Sequence, residues 1–168
     1  TGDTVYRIRH GCRDNHRAGL MPKTVIPELQ TEVPKPHPVL ECLLGAYDYS
    51  IIGEAGGLTQ FGVHIEVLRP GSKSSLRHWH ETEDEMIYML SGEVVLIEET
   101  ETRFCKVDAA CWPAGAATAH CLENRSAADA SYLTIGTRNR VDTIHYPDHN
   151  LITHKDGAAR RYSQSDGS

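Results

Sequence analysis

From Val39 onward the chain breaks into short apolar runs separated by polar turns, with the length and spacing of β-strands. VLECLL (39–44), DYSIIGE (48–54) and FGVHIEVLR (61–69) are rich in β-branched and aromatic residues and are punctuated by Gly or Pro. Similar runs at Met86–Leu90, Glu93–Glu98, Arg103–Val107, Ala119–Leu122 and Ala130–Thr137 predict further strands, and no segment carries a convincing helical period. Many short strands at close spacing specify an all-β sandwich or barrel. Within FGVHIEVLR, Phe61, Val63, Ile65 and Val67 share one face and His64 and Glu66 the other. Alternation alone does not say which face points inward. Solvated His64 and Glu66, with the apolar face inside, is the expectation.

The segment before this region has a different character. Pro22, Pro27, Pro34, Pro36 and Pro38 interrupt any helix or strand ladder. Residues 1–38 therefore read as an extended arm with at most one short strand, TVYRIRH (4–10), which packs on the barrel or on a second subunit. His10, His16 and His37 in this arm have no partner spacing and read as solvated. The barrel is expected over 39–147, and 148–168 as a polar tail with frayed last residues. No internal repeat is visible.

Composition narrows the function classes. A chain of 168 residues suits one domain with a real core. Its 17 Lys and Arg against 23 Asp and Glu give a net charge of −6, with no basic cluster to follow a phosphate backbone. Nucleic acid and anionic membrane are thus not expected partners. No apolar stretch has the length of a membrane span, nor does the N-terminal region carry an apolar signal core, so a cytoplasmic location is expected. Five cysteines (Cys12, Cys42, Cys105, Cys111, Cys121) with irregular spacing argue against a disulfide framework and for a reducing compartment.

The chemistry concentrates in Pro70–Gly92. His78 and His80 lie two apart, so in a strand they project together with Trp79 on the opposite face. Glu85 opens the next apolar run, and residues 81–84 can fold it back beside the imidazoles on an adjacent strand. Two imidazoles and a carboxylate make a divalent-metal half-site; the alternative is two surface histidines beside an acidic turn. Tyr88, three after Glu85, falls on the opposite face and is not a candidate acid. Arg69 and Lys73 flank the loop and either meet an anionic substrate or are surface charges. A second stretch, WPAGAATAHCLEN (112–124), places His120 after a Pro–Gly turn. Cys111 and Cys121 beside it read as buried, inert thiols rather than ligands.

Together the two stretches resemble the paired motifs of the cupin superfamily: PG, HxHxxxxE and Gly, then PxG, His and Asn. Val107 stands where the second motif usually opens with Gly. The resemblance covers about Phe61–Thr137. It implies a double-stranded β-helix, the jelly-roll barrel, and a metal bound by His78, His80, Glu85 and His120, with Asn124 bracing a turn. It implies one divalent transition ion per chain (Zn, Fe, Mn, Ni or Co). The function expected from it is a metal-dependent small-molecule enzyme resembling the sugar-phosphate isomerases. An iron-dependent dioxygenase, or a non-catalytic module that binds or senses a small ligand, serves the same ligand set. Open strand edges and the arm predict a homodimer.

Overall fold

The computed structural model describes residues 23–32, 37, 39–40 and 46–165. In chain order these residues form β1 (Gln30–Glu32), β2 (Tyr47–Ile51), a one-turn helix α1 (Ile52–Ala55), β3 (Phe61–Leu68), β4 (Trp79–His80), β5 (Glu85–Ser91), β6 (Glu93–Ile97) and β7 (Glu101–Cys105). Then follow β8 (Ala109–Trp112), β9 (Cys121–Glu123), β10 (Ala130–Thr137), β11 (Val141–Tyr146), a 3-10 turn at Pro147–His149, β12 (Leu151–Asp156) and β13 (Ala159–Gln164). They assemble into a six-stranded sheet β1-β2-β3-β10-β5-β8, a four-stranded sheet β13-β12-β11-β4 and a three-stranded sheet β7-β6-β9. This is the all-β jelly-roll barrel. Among the described residues no helix is long and apolar enough to cross a membrane.

The core lies between the sheets. Leu68, Ile87, Met89, Leu96, Phe104 and Leu122 are among its buried side chains. Antiparallel register fixes which positions face it: Glu66 pairs with Tyr132, which pairs with Met89, and His64 pairs with Thr134, which pairs with Ile87. Since Leu68, Ile87, Met89 and Tyr132 are all buried, the period of two carries His64 and Glu66 inward with them. The expectation that His64 and Glu66 are solvated is therefore corrected. Phe61, Val63, Ile65 and Val67 occupy the outer face, and Phe61 is exposed.

Two further differences matter for the site. Residues 148–168, expected as a polar tail, contribute β12 and β13, which extend the sheet carrying β4. And β4 pairs with β11 rather than with β5, so His80 and Glu85 sit on two different sheets and meet across the barrel. The arm is partly described: β1 pairs with β2 at the edge of the six-stranded sheet. His37, expected to be solvated, packs edge-on against Tyr162 at a ring distance of 5.4 Å, and its Nδ1 accepts hydrogen bonds from the Val39 and Leu40 amides. The expected strand at 4–10, most of that at 39–44, His10, His16, Cys12, Cys42 and the last three residues lie outside the described residues.

Candidate metal centre

Strand alternation directs His78 and His80 to the same side, with ring centroids 5.0 Å apart. Trp79 points the other way and stacks on His145 of β11 at 4.1 Å, which anchors this short strand. Glu85, the first residue of β5, reaches toward them from the six-stranded sheet. The potential ligand atoms of His78, His80 and Glu85 all lie within 4.8 Å of one another. His120 joins from the third side, because its backbone exchanges two hydrogen bonds with His78. Its Nε2 stands 3.1 Å from Glu85 Oε2, while His80 Nε2 is 3.8 Å from the same oxygen. The four residues named from the motifs are thus neighbours; three form a compact triad and His120 adjoins it through Glu85.

The hydrogen bonds around the rings decide which nitrogen is free. His78 Nδ1 donates to the Leu76 carbonyl at 2.8 Å, His120 Nδ1 to the Thr118 carbonyl at 3.2 Å, and His80 Nδ1 to Asp142 Oδ2 at 2.6 Å. A proton on each Nδ1 leaves each Nε2 lone pair directed inward, the tautomer of a metal-ligating histidine. His120 Nε2 and Glu85 Oε2, 3.1 Å apart, share a proton when Nε2 carries it, and both face a cation when the proton is on Nδ1. Ligand atoms about 2.1 Å from one ion lie about 3 Å apart, so the spacing suits a divalent ion. Trp112 stacks on His120 at 3.6 Å and is itself fixed by Nε1 donating to Glu98 Oε1.

Electrostatics agree with that donor set. Burial, reinforced by the neighbouring His80 and His120, lowers the His78 pKa to about 4 despite the opposing charge of Glu85. Burial opposes ionisation of Glu85, yet the hydrogen bond from His120 and the charges of the three histidines hold its pKa below the usual value. Asp142 is likewise held ionised against burial by His80 and by the amide and hydroxyl of Thr82.

Two cavities flank the cluster. The inner one, about 150 Å³, is lined by Glu66, Tyr132, His78, Glu85 and His120. There the Tyr132 hydroxyl donates to Glu66 Oε2 at 2.8 Å, and burial, with the charge of Glu85, pushes the Glu66 pKa up. The outer cavity, about 250 Å³, opens over His78, His80 and Glu85, with His64, Arg138 and Lys155 in its wall. Lys155 pairs with Glu83 at 2.6 Å. Arg69 and Lys73 line neither cavity: Arg69 pairs with Asp48, and the Lys73 backbone forms an antiparallel β-bridge with Glu123 of the three-stranded sheet. Cys121 is buried, with its pKa raised by burial, while Cys111, expected to be buried, is exposed. Asn124 does brace a turn: fully buried, it donates to the Leu68 and Ala128 carbonyls and accepts from Ser126. Asp142, Arg138 and Lys155 escaped the sequence reading because they reach the site from β11, the end of β10 and β12, and Glu83 because its role in the β4–β5 turn depends on Lys155. Only Glu66 and His64 carried a signal, a polar face on an alternating strand.

Comparison with known proteins agrees with the fold and the motifs. The cupin domain family matches residues 64–136. No curated protein sequence matches the chain. Among solved structures, a sugar phosphate isomerase from a cupin superfamily, from Silicibacter pomeroyi, is 34% identical, with a TM-score of 0.77 over 83% of this chain and 90% of its own. A candidate sugar phosphate isomerase from Acidithiobacillus ferrooxidans is 26% identical, with a TM-score of 0.69 over 72% of this chain and 78% of its own. The polyketide cyclase RemF from Streptomyces resistomycificus, 16% identical with a TM-score of 0.53 over 70% of this chain and 80% of its own, shares the fold. With the motif histidines gathered in one barrel and a third of the sequence shared along most of its length, the chain belongs to the cupin superfamily.

Proposed function

We propose that this cupin is a metal-dependent isomerase of small phosphorylated sugars. The observation that carries the reading is the His78–His80–Glu85 triad at an open cavity, in a chain 34% identical to a protein described as a sugar phosphate isomerase. His78, His80 and Glu85, with His120, are the residues that would hold one divalent transition ion. A bound ion of that kind supplies Lewis acidity that polarises a substrate oxygen. The protein's own groups do the rest. Asp142 keeps the His80 Nδ1 proton in place and so keeps Nε2 unprotonated. Glu66, whose pKa burial raises against the hydrogen bond donated by Tyr132 to Oε2, stands in the inner wall as the group to take up and return a proton. Proton transfer between neighbouring carbons, the core of aldose–ketose interconversion, needs such a group. The free Cys105, Cys111 and Cys121 fit a reducing, cytoplasmic compartment, and the open sheet edges at β1 and β8 fit a two-fold homodimer.

The test is elemental analysis of protein purified without added metal, followed by a panel of aldose and ketose phosphates with and without oxygen. One equivalent of metal and oxygen-independent interconversion are expected. His80→Ala loses most of the metal, and Glu66→Gln keeps the metal but loses turnover. Oxygen consumption, or tight binding without turnover, overturns the isomerase reading.

A further inference from the structure

The outer cavity contains a convergence of donors that the triad does not use. His64 Nε2 is buried and, among the described residues, has no hydrogen-bond partner; leaving such an atom unpaired is costly. Arg138 stands beside it. Its Nη1 donates to Glu54 Oε1 at 3.0 Å, while Nε and Nη2 have no partner among the described residues. Nε and Nη2 form one edge of the guanidinium, the fork that engages two oxygens of a carboxylate or phosphate at once. The space these donors share is held open by Gly62. A Cβ placed there meets Arg138 Nε at 3.1 Å, Arg138 Nη2 at 3.5 Å and His64 Nε2 at 3.6 Å. Gly62, His64 and Arg138 all line the outer cavity with His78, His80 and Glu85. The acidic groups there are occupied: Glu83 pairs with Lys155, and Asp84 accepts from the Ala114 amide at 2.8 Å. Burial and the nearby Arg138 lower the His64 pKa, so the ring is neutral and Nε2–H can act as a donor.

We propose that Gly62, His64 and Arg138 form an oxyanion subsite that takes the phosphate of the substrate whose other end reaches His78, His80 and Glu85. The proposal deepens the isomerase reading and rests on it for the substrate's identity. The subsite itself is read by binding alone, so a protein that binds phosphate here but turns over no sugar phosphate fails only the isomerase reading.

The test is calorimetric titration of the metal-loaded full chain with inorganic phosphate and, separately, with acetate, in a chloride buffer. Wild-type protein is expected to bind phosphate saturably, and acetate at least about tenfold more weakly because it offers fewer charged oxygens. Arg138→Lys keeps the charge but loses the fork, His64→Ala removes the buried donor, and Gly62→Ala fills the space. Each is expected to weaken phosphate about tenfold, the loss of one charge-assisted hydrogen bond, with metal content unchanged. Gly62→Ala adds a single methyl at a cavity wall and guards against misfolding of the other two. No saturable phosphate binding by the wild type, acetate as tight as phosphate, or wild-type affinity in all three variants, as an ion seated on the metal would give, overturns the subsite.

Discussion

Asp142 accepts hydrogen bonds from His80 Nδ1 and from the amide and hydroxyl of Thr82 at a position only 1% exposed. Asn in its place turns an NH2 toward the imidazole or leaves one of the Thr82 donors unpaired, and either change disturbs the His80 tautomer. Asp142→Asn is expected to weaken metal affinity about 10- to 100-fold, the usual effect of losing such a partner, as read by competition with a chromogenic chelator. His78 sets the acid limit of the metal-free protein. Its pKa is about 4 when folded and about 6.5 when unfolded, so between those values the unfolded chain binds the extra proton. Stability is therefore full above about pH 6.5 and declines as pH falls toward 4, by up to about 3 kcal/mol. Urea melts of the chelator-treated protein from pH 7 to pH 4 check this. A flat stability profile contradicts a buried, neutral His78.

At the scale of elements, the turns carry the strain. Gly92 joins β5 to β6 with φ of +74°, and a Cβ there meets the Asp129 carbonyl at 2.6 Å. Gly92→Ala is expected to cost about 2–3 kcal/mol in urea unfolding, since both the backbone and the neighbouring strand resist it. Val107, where the cupin motif usually has Gly, also adopts a positive φ of 72° while 65% exposed. A β-branched residue is disfavoured there by sterics. Val107→Gly is expected to raise stability by about 1 kcal/mol, because release of the left-handed strain outweighs the added chain entropy of glycine. A destabilised variant in the same assay contradicts that balance. The outer face of β3 shows how elements mislead: its apolar alternation is the cleaner signal, yet the polar face is the one the site uses.

For the molecule as a whole, the proposed metal site makes ligand protonation a link between metal and fold. Metal binding needs neutral imidazoles and an ionised Glu85, and it stabilises the folded state that carries the site. The gap in melting temperature between metal-loaded and chelator-stripped protein is expected to be large at pH 8 and to shrink toward pH 5. An equal gap at both pH values contradicts a three-histidine site. The proposed homodimer is checked by light scattering at micromolar concentration, where a mass of about twice 18.6 kDa is expected.

Local pattern was enough for much of this. Alternation at 61–69 and short apolar runs at 86–90, 93–98 and 130–137 marked β3, β5, β6 and β10 to within a residue or two, because strands that build a core must carry β-branched and aromatic residues between polar turns. The two-residue spacing of His78 and His80 paired the imidazoles, since it places strand side chains together regardless of partner; the short turn after them returned Glu85, and His120 was named through the cupin resemblance. Tertiary structure alone decided the rest. Which face of β3 turns inward depends on its register with β10 and β5, not on its own hydrophobicity. That β4 joins β11 and meets β5 only across the barrel depends on long-range pairing. Asp142 reaches His80, and Arg138 and Lys155 the cavity, through strand order, and no spacing along a chain encodes which distant strands will become neighbours.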